Sequence, residues 1–266
     1  MKSTQRLDES GLGADTDDED YTLIATASKA DVIVLLPARN EQHTVGRVVH
    51  EVADKMDCEV VVIDDASTDD TAHAARATGA TVLPLPVQLG AWGATQTGIR
   101  YALRNGYRTV VTMDADGQHP PACISSLLKP IIANKADVVI GACPDRVSRG
   151  RRIAWSYFRL LTGLRLEDIT SGFRAYNFEA MRILASAEAS LLDYQDVGVL
   201  LILVRKKLNI AEISVPMATR TTGSSRVFSS WFIVGKYMLH TTLLSMASIG
   251  TNRARSHCPF GKRRPG

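Results

Sequence analysis

The sequence of 266 residues lacks several signatures that would assign it to common protein classes. Its four cysteines form no Cys-x-x-Cys pair, which argues against a zinc ribbon and a disulfide framework. No Gly-Lys-Ser/Thr phosphate loop occurs. The first predicted strand is followed by Pro37–Glu41 rather than by the Gly-x-Gly-x-x-Gly of a dinucleotide-binding fold. A P-loop ATPase and a Rossmann dehydrogenase are therefore not indicated.

The sequence also has little that would direct it across a membrane. No cationic segment followed by a long apolar run opens the chain, whose first apolar stretch is the short Leu23–Ala25. We therefore expect a cytoplasmic protein. The net charge is only +3, but acidic residues are concentrated before residue 21 and basic residues after Thr251. Both ends are expected to be poorly ordered.

Short β-branched runs alternate with helical patterns from Asp31 onward, which predicts a βαβα order and an α/β fold. The runs are apolar throughout, as expected for a mainly parallel sheet with helices on both faces. Ligands bind at the carboxyl ends of such strands. The predicted strands are Val32–Leu36, Val60–Ile63, Thr81–Leu85, Val110–Met113 and Val138–Ile140. The predicted helices are His43–Met56, Thr68–Thr78, Trp92–Asn105 and Cys123–Asn134.

Two carboxylates and an amide, those of Asp114, Asp116 and Gln118, follow the fourth predicted strand at every second position. Alternate side chains of extended backbone point to the same face, so we expect these three to converge. Such oxygen ligands suit Mg²⁺ or Mn²⁺, which shares its coordination shell with substrate phosphates. The segment therefore predicts a divalent-metal site for a nucleotide-diphosphate substrate.

The segment from Asp114 to Gln118 could also be a calcium-binding loop or a simple polar turn. A calcium-binding EF-hand loop needs Gly at its sixth position and Glu at its twelfth, whereas here Gly117 is fourth and Ser125 is twelfth, so we reject it. A simple polar turn after a strand stays open. His119 is expected to orient the loop rather than to bind the metal, because oxygen ligands already dominate there.

Three segments that follow predicted strands carry a resemblance to a known family: Pro37–Glu41, Asp64–Thr71 and Asp114–Pro120. Together and in this order they resemble family 2 glycosyltransferases of the GT-A fold. Two later segments, Thr170–Ala175 and Arg220–Arg226, narrow the resemblance to the dolichyl- or polyprenyl-phosphate sugar synthases. Arg226 stands where those enzymes have lysine, which preserves the charge. The resemblance spans residues 31–230.

The resemblance implies roles for individual residues of the donor site. A divalent cation on the diphosphate would act as a Lewis acid that stabilises the charge of the leaving group. The nucleobase of the donor would donate a hydrogen bond to Asp65. The implied nucleotide-sugar-binding residues are Pro37, Arg39, Glu41, Asp65 and Asp114, and the implied metal ligands are Asp114, Asp116 and Gln118, of which Asp116 is also a catalytic candidate.

Local structural roles are open for some of these residues. Glu41 could be a first-turn carboxylate that stabilises its helix, and Asp65 could begin a turn. Ser67, Thr68 and Asp69 are expected to cap the helix that follows them rather than to contact substrate.

A lipid-phosphate acceptor would need cationic donors beside the sugar, and the planar guanidinium of arginine holds phosphate oxygens bidentately. Arg174 is also a catalytic candidate. Arginines in a Gly/Ser-rich loop, such as Arg220, could equally be solvated surface charges. The candidates for binding the acceptor phosphate are Ser171, Arg174, Arg220, Ser225 and Arg226.

The class of acceptor decides whether the enzyme needs a general base that removes a proton from the acceptor. A phosphate is already anionic at neutral pH, so no strong base is required. A sugar hydroxyl would require a carboxylate, and Asp196 is then the catalytic candidate. Asp196 could also be an acidic residue that opens a helix over Val197–Val204.

The chain is expected to comprise an acidic disordered tail (1–30), a GT-A domain (31–227), an amphipathic helix (228–250) and a basic tail (251–266). Apolar residues recur at helical spacing between Phe228 and Gly250, with Lys236 on another side. A spanning helix needs ~20 apolar residues, and a central lysine costs ~2.5–3.5 kcal/mol, so a helix at the membrane interface is favoured. A helix that packs on the domain is the open alternative.

The sequence and the resemblance together predict a glycosyltransferase on the inner face of the membrane that transfers a hexose from a nucleotide-sugar to polyprenyl phosphate with Mg²⁺ or Mn²⁺. The resemblance implies that the transfer inverts the anomeric carbon. The base and the sugar of the donor stay open. The expected partners also include a membrane surface or a membrane-embedded protein; a homo-oligomer is left open, and nucleic acid is not expected. One alternative is transfer to a saccharide or small hydroxyl acceptor. Another is a non-catalytic protein that binds nucleotide-sugars.

Overall fold

The computed structural model describes residues 5–6, 31–143, 166, 168, 170–191 and 197–217. These residues form a mixed, mostly parallel sheet between two layers of helices, which confirms the predicted α/β class. The strands are β1 (Gln5–Arg6), β2 (Val32–Ala38), β3 (Glu59–Asp64), β4 (Thr81–Pro84), β5 (Thr109–Thr112), β6 (Val138–Ala142), β7 (Arg174–Tyr176) and β8 (Ile210–Ser214).

The helices of the described ranges agree with the predicted ones to within a few residues where a prediction was made. The first begins at Val45 rather than at His43, because residues 41–44 form a turn in which the carbonyl of Glu41 accepts the N–H groups of Thr44 and Val45. The helices are α1 (Val45–Ala53), α2 (Thr71–Ala77), α3 (Gly90–Arg104), α4 (Ile124–Ile132), α5 (Phe178–Leu184), α6 (Ala187–Ser190) and α7 (Val197–Arg205), and a 3₁₀ turn, Pro121–Cys123, precedes α4.

Strand β2 shows why an uninterrupted apolar run suits this sheet. Ile33 and Leu35 belong to the core beneath α3, α5 and α7, while Val34 and Leu36 belong to the core beneath α1 and α4. All four side chains are fully buried. Burial of each contributes about 1.5–3 kcal/mol, so both faces of the strand favour apolar residues.

The strand order is β1-β8-β6-β7-β5-β2-β3-β4. From β2 the chain adds β3 and β4 on one side and then places β5 on the other side of β2. This reversal is a topological switch point, which opens a crevice outside the carboxyl ends of β2 and β5. Because β5, β2 and β3 are neighbours, the three loops that carry the family resemblance meet at one edge of the sheet.

Strand β7 lies antiparallel between β5 and β6, and the sequence did not predict it. Its three residues are too few to show a periodic pattern. Because β7 runs against its neighbours, its first residue, Arg174, lies beside Thr112 and Ile140 near their carboxyl ends. The segment 170–173 therefore reaches the same edge as the loop that follows β5.

Several predicted features lie outside the described residues. Within the ranges described, no helix is long and apolar enough to cross a bilayer. The predictions that lie outside are Asp196, Arg220, Ser225, Arg226, the helix 228–250, the basic tail 251–266 and all of the acidic tail 1–30 except residues 5–6.

Candidate active site

The loop that follows β2 is tied to the loop that follows β3. Asn40 adopts a left-handed conformation, with φ of 54°. Its side-chain oxygen accepts the N–H of Thr68 at 2.8 Å, and its own N–H donates to Ser67 Oγ at 3.0 Å. The side-chain oxygen of Gln42 accepts the N–H of Asp70 at 3.0 Å. The two loops thus form one hydrogen-bonded unit.

The expectation that Ser67 and Thr68 cap the next helix is wrong, because both hydrogen-bond to Asn40 across the two loops. Asp69 does act at the start of α2: its Oδ1 accepts the N–H and the hydroxyl of Thr71. Burial by itself would raise the pKa of Asp69, but the hydrogen bonds from Thr71 and Gln42 outweigh it and lower the pKa.

The residues predicted to line the nucleoside pocket surround this unit. Pro37 is the next-to-last residue of β2 rather than part of the turn, and Arg39 follows that strand directly. Glu41 Oε2 accepts the hydroxyl of Thr44 at 2.8 Å, and the N–H of Glu41 donates to Thr71 Oγ1 at 2.7 Å. The carboxylate of Glu41 therefore lies at the start of α1, which fits the local role left open for it.

The carboxylate of Asp65 lies at the N-terminus of α3. Its two oxygens accept the N–H groups of Leu89 at 2.6 Å and Gly90 at 2.9 Å, and the residue is only 4% exposed. A carboxylate in this place satisfies two backbone donors and favours the positive end of the helix dipole. Each oxygen still has a second lone pair, so a ligand can donate to it as well.

The loop after β5 carries Asp114, Asp116 and Gln118 on a turn and not on an extended strand. Strand β5 ends at Thr112, and Gly117 has φ of 77°, a value that a side chain would strain. Asp116 Oδ1 accepts the N–H of Gln118 at 3.0 Å. The prediction that alternation along extended backbone would make these side chains converge is therefore wrong, since the strand ends before the first carboxylate.

The three side chains differ in exposure. Asp116 is 9% and Gln118 5% exposed, whereas the Asp114 side chain is 49% exposed. Across the described ranges, no three His, Cys, Asp or Glu residues form a cluster that could hold a metal. The oxygen ligands that this loop offers are two carboxylates and one amide, a number that would leave room for oxygens from a substrate.

Residues 170–173, which precede β7, form a wall beside this loop. Thr112 Oγ1 donates to the carbonyl of Gly172 at 2.8 Å, which fixes the glycine at the edge of the sheet. A Cβ on Gly172 would lie 2.6 Å from Asp114 Oδ1. The glycine therefore provides the space that the Asp114 carboxylate occupies. Ser171 is 4% exposed, and its Oγ accepts the N–H of Phe173.

Arg174 was predicted as a catalytic candidate and as a candidate for binding the acceptor phosphate. It is fully buried in β7, and its Nε donates to the carbonyl of Ser171 at 2.8 Å. Because its guanidinium has no exposed surface, Arg174 stabilises the segment that contains Ser171 and does not present its donors to solvent.

Two buried acidic residues near this wall were not identified from the sequence. Glu212 of β8 accepts the N–H of Asp168 at 2.7 Å, and Asp168 Oδ1 accepts the N–H and hydroxyl of Thr170. The acidic side chains thus hold the segment that leads to Ser171. A strand pattern at Ile210–Ser214, with glutamate in its middle, was the signal that could have pointed to Glu212.

Comparison with known proteins shows what the chain is similar to. An undecaprenyl-phosphate mannosyltransferase of Micrococcus luteus is 31% identical over 82% of this chain and 95% of its own length. A polyprenol monophosphomannose synthase of Mycolicibacterium smegmatis is 30% identical over 74% of this chain and 81% of its own. The crystal structure of glucosyl-3-phosphoglycerate synthase from Mycobacterium tuberculosis with Mn²⁺, UDP-glucose and phosphoglyceric acid has a TM-score of 0.61 and 25% identity, covering 77% of this chain and 76% of that one.

The mostly parallel sheet with its helices is the fold of a glycosyltransferase of the GT-A type. Residues 33–186 match the family described as glycosyl transferase family 2, and this match covers more than half of the chain. The chain belongs to that family and is a glycosyltransferase.

Proposed function

We propose that the protein transfers a hexose from a nucleotide-sugar to polyprenyl phosphate, with inversion at the anomeric carbon, on the cytoplasmic face of a membrane. The observation that carries the proposal is the meeting of the loops after β3, β2 and β5 at the switch point, with Asp65, Glu41 and Asp114 on them. The names of the relatives from Micrococcus luteus and Mycolicibacterium smegmatis support the lipid acceptor.

The donor would lie across these three loops. Pro37, Arg39 and Glu41 would border the nucleoside, and Asp65 would accept a hydrogen bond from the base while it holds the start of α3. Because Asn40 and Gln42 join the first two loops, the pocket for the nucleoside would be formed before the donor arrives.

Mg²⁺ or Mn²⁺ fits the loop after β5 by the chemistry of its ligands. Asp114, Asp116 and Gln118 would hold the cation, and their small number suits an ion that shares its coordination shell with phosphate oxygens. The Mn²⁺ in the similar synthase of Mycobacterium tuberculosis supports this assignment. Bound there, the cation would supply Lewis-acid stabilisation of the leaving diphosphate.

The acceptor phosphate would lie beyond the wall formed by 170–173. Arg174 would act there by supporting Ser171, because its guanidinium is buried. Direct contacts with the phosphate oxygens are assigned to Arg220, Ser225 and Arg226. The acceptor is an anion at neutral pH and attacks without a strong base, so Asp196 is not needed for this reaction.

A small soluble acceptor is the second candidate function. The similar synthase of Mycobacterium tuberculosis is named for glucosyl-3-phosphoglycerate and was crystallised with phosphoglyceric acid. A saccharide or small hydroxyl acceptor would need a base, and Asp196 would then become essential.

The test is a transfer assay on purified full-length protein with Mn²⁺ and a panel of radiolabelled nucleotide-sugars with uracil or guanine bases. Polyprenyl phosphate and phosphoglyceric acid are supplied in separate reactions. The proposal expects label in the organic phase with the lipid, whereas label in a new water-soluble product would favour the second candidate. Asp116→Ala should reduce transfer to background while the circular dichroism spectrum is unchanged, and Asp54→Ala on the exposed end of α1 is the control.

A further inference from the structure

His119 follows the proposed metal loop and is packed into the wall beside it. Its side chain is only 1% exposed. The imidazole stacks on the ring of Phe173, with centroids 5.2 Å apart and planes at 14°. Phe173 is itself fully buried and follows Gly172 directly. The orientation of the imidazole is therefore set by the same segment that borders Asp114.

The hydrogen bond at Nδ1 determines which ring nitrogen of His119 carries the proton. The backbone N–H of Asp114 lies 3.1 Å from Nδ1. A backbone N–H only donates, so Nδ1 must be the acceptor, and in the neutral ring the proton resides on Nε2. His119 thus presents an N–H donor at Nε2.

Among the residues that the structure describes, the carboxylate of Asp114 is an acceptor near this proton. Nε2 is buried and has no hydrogen-bond partner within the described part of the chain, and the carboxylate of Asp114 lies nearby, with Oδ2 at 3.9 Å. A charge-assisted N–H···O bond needs about 2.7–2.9 Å, so a shift of the carboxylate by about 1 Å would form it. The half-exposed side chain of Asp114 has the freedom for that shift, and Gly172 has no Cβ that would press on the carboxylate.

We propose that His119 is a positioning residue for Asp114: its Nε2–H donates to Oδ2 and thereby aims the carboxylate at the cation. The inference rests on the proposed function, which makes Asp114 a metal ligand. Ligating carboxylates are commonly held by a second hydrogen bond of this kind, and its loss weakens metal binding about 10–100-fold. His119 does not itself bind the metal, because Nδ1 is occupied and Nε2 carries the proton.

Two substitutions separate this role from simple packing. In His119→Asn, the side-chain oxygen can replace Nδ1 as the acceptor of the Asp114 N–H, but nothing replaces Nε2–H. In His119→Gln, the longer side chain brings an amide N–H to the position of Nε2. His50→Asn, on the exposed surface of α1, is the matched control.

The measurement is the binding of Mn²⁺ in the presence of UDP or GDP, followed by the loss of the free-ion EPR signal. We expect at least about tenfold weaker binding in His119→Asn, near-wild-type binding in His119→Gln and in the control, and similar melting temperatures for all. Electron spin-echo modulation from a directly bound imidazole nitrogen should be absent from the wild-type complex.

The outcomes distinguish this inference from the function on which it rests. Unchanged Mn²⁺ binding in His119→Asn, or nitrogen modulation that His119→Asn removes, would overturn the positioning role and leave the transferase proposal intact. Equal loss in the Asn and Gln variants would assign His119 to packing alone and also overturn the inference. A wild-type protein that binds no Mn²⁺ with either nucleotide would instead contradict the metal assignment in the proposed function.

Discussion

Gly172 leaves a space that the carboxylate of Asp114 occupies, and this single residue links two distant parts of the sequence. A Cβ at this position would lie 2.6 Å from Asp114 Oδ1. The contact is with the mobile end of a side chain, so an added methyl group displaces the carboxylate rather than the backbone. The geometry of the proposed metal site therefore depends on a residue that binds nothing itself.

Gly172→Ala is predicted to weaken Mn²⁺ binding about tenfold or more, because it moves a proposed ligand out of position. The free energy of unfolding should change by less than about 1 kcal/mol, since the backbone is not displaced. Isothermal titration with Mn²⁺ and UDP or GDP checks the first effect, and urea denaturation checks the second. In the control Gly46→Ala, the new Cβ meets Thr78 at an ordinary 3.6 Å, and binding should be unchanged. Wild-type affinity in Gly172→Ala would contradict the placement of the carboxylate.

Among the elements, helix α3 connects the donor side of the site with the helices α5 and α6. Its N-terminus is held by Asp65. Along its side, Trp92 Nε1 donates to the carbonyl of Ala189 at 2.8 Å, and Arg100 Nε donates to that of Ala185 at 3.0 Å. The short helix α6 thus depends on α3 for its position.

Gln96 makes two further hydrogen bonds between α3 and this region. Gln96→Ala is predicted to lower the free energy of unfolding by about 1–3 kcal/mol. Its Nε2 donates to the carbonyls of Leu184 and Ser186, which the substitution would leave without that donor in a buried place. Hydrogen exchange should accelerate at residues 184–190, and urea denaturation should show the loss. Arg104→Ala, on the exposed part of the same helix, should do neither. Unchanged exchange at 184–190 in Gln96→Ala would show that α6 is held by other contacts.

At the scale of the whole molecule, the proposed site lies at the carboxyl ends of the strands, and a network of polar side chains around Glu59 lies at their amino ends. At the amino end of β3, Glu59 accepts hydrogen bonds from Thr81, Tyr101 and Tyr107. Burial, together with the hydrogen bond to the Glu59 carboxylate and its charge, raises the pKa of Tyr107 to about 12. This network joins β3, β4, α3 and the start of β5 without touching the proposed site.

The raised pKa makes stability depend on alkaline pH. The folded state favours the neutral phenol of Tyr107, so its contribution is complete below the ordinary pKa of 10.0 and is lost as the pH rises toward about 12. Tyr107→Phe should be less stable by about 1 kcal/mol at pH 8, because it lacks the hydrogen bond. It should also lose less stability than the wild type between pH 10 and 12, as measured by urea denaturation. Parallel curves for the two proteins would contradict the raised pKa.

We also predict that the full-length chain is recovered with membranes. The sequence between Phe228 and Gly250 predicts an amphipathic helix, so deletion from Ser229 onward should shift the protein from the membrane to the soluble fraction. Deletion of 251–266 alone should weaken binding less, since each basic residue contributes about 1 kcal/mol and is screened by salt. Sedimentation with anionic vesicles measures both. Unchanged sedimentation of the longer deletion would favour a helix that packs on the domain.

The sequence by itself was sufficient for the first half of the domain. Five strands and four helices were located from their apolar patterns, because strands buried on both faces and amphipathic helices show their periodicity over short distances. The acidic segments at the carboxyl ends of the strands also followed from the βαβ order, whereas the switch point became visible with the strand order. The predicted features depend on residues that are near one another along the chain.

The tertiary structure decided what depends on residues far apart in sequence. Only it shows that the antiparallel β7 brings Gly172 against Asp114, that Arg174 is buried, and that Asn40 joins two loops. No local pattern encodes these contacts, because they arise from strand order and direction. The sequence therefore predicted which residues belong to the proposed site, whereas the packing of the sheet determined which other residues hold them in place.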